Sequence, residues 1–130
     1  MKTVLHMARF SNMVMTRIKI WNKTSNDYAK MLITVDTGAS ITTISSDVLH
    51  ALGYDTTTGP KNRITTASGT IYVRSVNLDM MIGTIQLCGI EVYAHAFPEE
   101  CFSNGVLGLN VLSLFDVNFV FSKRVIEFCN

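Results

Sequence analysis

Val35-Asp36-Thr37-Gly38-Ala39-Ser40 is the stretch on which the reading of this chain turns. Residues 28–35 read as a strand, so Asp36 leaves the end of that strand and enters a Thr-Gly turn. Gly38 carries no Cβ, which allows a tight turn and a close approach of a ligand to the backbone. An aspartate so placed lies at the floor of a cleft. Taken alone, it is also compatible with an ordinary turn in which the carboxylate bonds nearby amides. A second stretch agrees with the first. Gly105-Val106-Leu107-Gly108-Leu109-Asn110-Val111-Leu112 sets two apolar residues and a glycine before a short helix.

Outward from these two stretches the pattern is mostly β. Val14, Thr16, Ile18 and Ile20 alternate with Met15, Arg17 and Lys19, the period of a half-buried strand, and 22–27 form a hairpin loop before the returning strand. A strand over 40–44 leads to a short helix capped by Ser45 or Ser46 and ended by Gly53. Residues 54–62 are a loop. Strands over 63–67 and 70–76 flank Ser68-Gly69 as a hairpin. Further strands are expected over 77–82, 84–87 and 90–97, with turns at Gly83 and Gly89, then a polar loop over 98–104. A helix over 110–115 and strands over 118–121 and 125–128 complete the chain. Many short strands and two short helices predict a closed or nearly closed β structure.

A chain of 130 residues fits one domain able to bury a core. Hydrophobic residues make up 48% and charged residues 16%, a globular balance. The net charge of +1, with no basic cluster along the chain, gives no electrostatic case for nucleic acid or an anionic membrane. The most apolar region, 106–121, is interrupted by Asn110, Asp116 and Asn118, which argues against a membrane span. His6 and Arg9 break up any signal-peptide core, and a cytoplasmic location is expected. Cys88, Cys101 and Cys129 lack the paired spacing of a zinc site, so reduced thiols and no metal or cofactor are expected.

In combination, the two stretches resemble the motifs of retropepsin-like aspartic proteases. The likeness runs from about residue 13 to 128, with the landmarks in that family's order: leading strand, Asp-Thr-Gly-Ala-Ser loop, flap hairpin, apolar-apolar-Gly motif, short helix and closing strand. It implies a mainly β, closed acid-protease barrel with one or two short helices and one lobe per chain. Residues 13–130 would form the protease domain, and 1–12 an N-terminal segment that is flexible or at a dimer interface. The chain begins at methionine and shows no adjoining domain, so a free-standing member is expected.

The resemblance also implies roles. The catalysis needs two aspartates and the chain carries one such loop, so Asp36 would act with the Asp36 of a second copy in a homodimer. Thr37 would lock the two loops together, Gly38 would offer its carbonyl to substrate, and Ala39 and Ser40 would line the cleft. Val106, Leu107 and Gly108 would support the loop. Thr66, Ala67, Ser68, Gly69 and Thr70 would form a flap over a polypeptide bound as an extended strand. Residues 125–128 would join an interface sheet with the ends of the partner. Many viral members carry an aspartate where Ser40 stands and an arginine where Leu109 stands, and both charges are absent from this chain. The alternative from another class is a catalytically silent peptide-binding or dimerisation module on the same fold.

Overall fold

The computed structural model describes residues 1–8, 12–98 and 103–130. Its strands are β1 (Lys2–His6), β2 (Met15–Asn22), β3 (Asp27–Val35), β4 (Thr43–Ser45), β5 (Lys61–Thr66), β6 (Gly69–Ile82), β7 (Ile85–His95), β8 (Gly105–Leu107), β9 (Asp116–Val120) and β10 (Val125–Cys129). Two short helices, α1 (Ser46–Ala51) and α2 (Leu109–Leu112), follow β4 and β8.

The alternation in β2 sends Ile18 and Ile20 inward, essentially without exposure, and leaves Arg17 and Lys19 outside. Ile33, Ile44, Met80, Ile82, Val92, Leu107 and Val111 meet them in the same core. The sheet order β2-β3-β8-β4-β7-β6 is closed by pairing of β6 with β2, at Lys19↔Met81 and Ile20↔Met80. The result is a six-strand barrel, with β5 attached outside it to β6. The closing seam is short, with two residue pairs.

A second sheet, β1-β10-β9, covers one end, and Phe128 from β10 reaches the core to meet Phe115 edge-on at 5.4 Å between centroids. The middle strand β10 is paired on both sides within its own chain. The outer strands of this sheet are β1 and β9.

Other elements also differ from expectation. Gly89 is a bulge inside one continuous strand, β7, rather than a turn between two. Its φ of +64° and the register skip between Leu78 and Met80 go together, and its amide donates to Asp79 Oδ1 at 2.8 Å. Likewise 70–76 and 77–82 are one strand, β6, long enough to serve the hairpin at one end and the barrel closure at the other. The strand expected over 40–44 begins only at Thr43, because the carbonyl of Ser40 accepts the Asn110 amide of α2. Helix α2 starts one residue early and is short. Leu114 and Phe115 donate to Val111 and Leu112, so the chain tightens into i→i+3 turns as Phe115 enters the core. Residues 99–102, within the expected polar loop and including Cys101, lie outside the described residues.

Candidate active site

The apolar strand β3 ends at Val35, which is buried, and the next residue, Asp36, is exposed. Strand β8 lies parallel to β3 with Val35 opposite Leu107. The ladder is continued by the Asp36 amide, which donates to the Leu107 carbonyl at 3.1 Å. The loop then turns back on itself. The Gly38 amide donates to Asp36 Oδ1 at 2.8 Å, and the Ala39 amide donates to the Asp36 carbonyl at 3.3 Å. A carboxylate oxygen is thus fixed by backbone while the side chain stays at the surface.

The far side of the loop is tied to α2. The Leu109 and Asn110 amides donate to the carbonyls of Ala39 and Ser40 at 2.7 and 3.0 Å. These bonds involve no charge. Gly108 makes the approach possible: a Cβ there would lie 2.8 Å from the Ala39 carbonyl oxygen and 2.8 Å from the Ile41 carbonyl carbon.

Two side chains complete the brace. Thr42, fully buried, donates its amide and its hydroxyl to Asn110 Oδ1, both at 2.8 Å. The same hydroxyl accepts the Gly108 amide at 3.0 Å, and Asn110 Nδ2 donates to the Glu91 carbonyl at 2.8 Å. Neither residue stands out in the sequence. The only signal is that both are polar residues in stretches otherwise bound for the core, where burial demands a partner.

Of the expected site residues, Thr37, Gly38 and Ser40 are exposed beside Asp36, and Ala39 is half-buried. Val106, Leu107 and Gly108 lie behind the loop, with Leu107 and Gly108 buried. In the hairpin, Thr66 pairs with Gly69 and Thr65 with Thr70, and Ala67-Ser68 form the turn. A recess of about 240 Å³ joins the two regions: Gly38, Ala39 and Ser40 line it together with Ile41, Thr43, Ile64, Thr65 and Tyr93. The structure therefore brings the aspartate loop to the shaft of the hairpin. Ile41, Ile64 and Tyr93 give the recess an uncharged wall that the motifs alone do not reveal. Among the described residues no group of three or more His, Cys, Asp or Glu could hold a metal ion.

Residues 22–114 match the family model described as "gag-polyprotein putative aspartyl protease". The chain belongs to the retropepsin-like aspartic protease family. Solved structures agree in fold. A retropepsin-like aspartic protease from Rickettsia conorii superposes with a TM-score of 0.65 at 18% identity, covering 98% of this chain and 89% of that one. The EIAV protease, solved with an inhibitor, gives a TM-score of 0.59 at 17% identity, covering 82% of this chain and 90% of that one. No curated protein sequence matches significantly. No helix among the described residues of this retropepsin-like chain is long and apolar enough to cross a membrane.

Proposed function

We propose that the chain is an aspartic endopeptidase whose active site is completed by the Asp36 of a second copy in a homodimer. The observation that carries this reading is the exposed Asp36 carboxylate, held by the Gly38 amide, in an aspartic protease family member with a single Asp-Thr-Gly loop. Two such carboxylates facing each other cannot both ionise easily, so the pair holds one proton. The ionised member removes a proton from a water between them, and the protonated member hydrogen-bonds to the scissile carbonyl. Water adds to the carbonyl carbon to give a tetrahedral diol. The C–N bond then breaks as a proton passes to the leaving amine.

The surrounding residues position these groups. Thr37 reaches across the dimer, Gly38 accepts a hydrogen bond from the substrate backbone, and Ala39 and Ser40 form the cleft wall. The Thr66–Thr70 tip closes over the peptide and excludes water. Val106, Leu107 and Gly108 hold the loop from behind, a role supported by the Asp36–Leu107 bond. Substrate binds extended, with alternate side chains directed into recesses such as the uncharged one beside Ile41 and Tyr93.

The test is cleavage of a mixed-sequence peptide library at acidic and neutral pH by wild type and Asp36→Asn. Wild type should cleave, and the variant should lose activity by about a thousandfold, the scale of a lost acid–base group. A dimeric wild type that binds peptides but cleaves none would favour the silent binding module.

A further inference from the structure

A second groove lies away from Asp36. It has a volume of about 330 Å³ and lies between β1 and β2, with Val4, His6, Arg17, Lys19, Lys30 and Met81 in its wall. Along β3, Lys30 stands six positions before Asp36, about 20 Å at the rise of a strand. The groove is therefore separate from the recess beside the aspartate loop.

The cations in its wall are scattered in sequence and gathered by the fold. Arg17 and Lys19 project from the same face of β2, and Lys30 is directly opposite Lys19 in the antiparallel ladder. Like charges at opposed positions are destabilising. Among the described residues no carboxylate forms an ion pair with them: the ion pair there is Lys2–Glu127, at 3.2 Å, and Glu127 is further engaged by Asn118. Among the described residues none that lines the groove is acidic.

One side of the groove is a strand edge. The paired termini Met1 and Asn130, and the bond from Met7 to the Arg124 carbonyl, turn the odd-numbered amides of β1 toward β10. The backbone groups of Val4 therefore face the other way, where β1 has no strand partner among the described residues and, just beyond it, the Ala8 amide donates to the Met15 carbonyl. The His6 carbonyl on that edge accepts the Thr16 hydroxyl.

We propose that this groove docks an extended acidic peptide segment alongside β1. The strand edge supplies main-chain hydrogen bonds, and Val4 and Met81 supply apolar contact. Arg17 and Lys19, two residues apart on a strand, repeat at about 7 Å. Acidic residues at every second position of an extended peptide repeat at the same interval, so each carboxylate meets a cation. A nucleic acid or an anionic bilayer would use the charges but would leave the strand edge and the apolar contacts unused. The site stands independently of the proposed chemistry at Asp36.

The experiment uses Asp36→Asn protein, so that no probe is consumed, and a fluorescein-labelled octapeptide of alternating Glu and Val. Binding is followed by anisotropy and by backbone amide shifts. The expected result is saturable binding, with shifts at Lys2, Val4 and Lys19. It should weaken about tenfold or more in Arg17→Gln/Lys19→Gln/Lys30→Gln, whose substituted side chains are exposed. A second variant, Val4→Pro, removes one edge donor without changing any charge and should weaken binding with the dimer intact. Undiminished binding to the triple variant would overturn the proposal, as would shifts confined to residues 36–41 and the hairpin. Tighter binding to single-stranded DNA or to phosphatidylserine vesicles than to the peptide would also overturn it. Loss of the dimer in Val4→Pro would assign the edge to a second copy instead.

Discussion

Thr42 shares one hydroxyl between Asn110 Oδ1, to which it donates, and the Gly108 amide, from which it accepts. Both partners lie at the start of α2, so this side chain ties the aspartate loop to the element behind it. Thr42→Val keeps the shape and leaves the Gly108 amide without its acceptor. It should destabilise the fold by about 1–3 kcal/mol in urea unfolding, and Thr42→Ser should restore most of the loss. Equal stability of the Val and Ser variants would show that the brace is packing alone. In the sheet β1-β10-β9, Glu127 is held below the usual carboxylate range, chiefly by the Asn118 side-chain amide and then by Lys2. A depressed folded value means that its contribution is present above the ordinary carboxylate range and is lost as pH falls through the folded value. Asn118→Ala should move the Glu127 titration, followed by carboxyl NMR, up toward an ordinary glutamate. An unmoved midpoint would show that the Asn118 hydrogen bond is not the chief cause. Asp36 itself was legible in the sequence because strand, turn and glycine all act locally. Thr42 and Asn110 were not, since their pairing spans 68 positions and nothing in either neighbourhood announces it.

At the scale of elements, the contact between the aspartate loop and α2 depends on Gly108. Gly108→Ala would force a Cβ against the backbone of Ala39 and Ile41, which cannot swing aside as a side chain can. The cost should be about 1–3 kcal/mol in stability. The Asp36 loop should be displaced, visible as amide shift changes at Gly38 and Ala39. Retained stability and unmoved shifts would mean that the two segments have room for a methyl group between them. Glycine also marks where reading the sequence fell short. Gly83 and Gly89 look alike in the sequence, and both have positive φ, yet the first turns the chain and the second bulges a strand that continues. What separates them is Asp79 on the neighbouring strand, whose carboxylate caps the Gly89 amide. That is tertiary information. The same holds for β6, whose 14 residues look like two strands until its separate pairings with β5 and β2 are known.

For the whole molecule, class and closure followed from local rules: alternating apolar residues, short strands and polar turns lead to a closed barrel. The gathering of Arg17, Lys19 and Lys30 did not, because a charge count along the chain cannot see strands laid side by side. Nor can a single chain supply two Asp36 side chains, and the central claim is that two copies do. If sites exist only where chains associate, specific activity should fall on dilution.

The most direct test mixes wild type with Asp36→Asn at constant total concentration, after full subunit exchange, and measures peptide cleavage against the fraction of wild type. A site that needs one Asp36 from each chain predicts a square-law fall, with about a quarter of the activity left when half the chains are mutant. A straight line, with about half of the activity left at that point, would show that each chain works alone and would contradict the shared site.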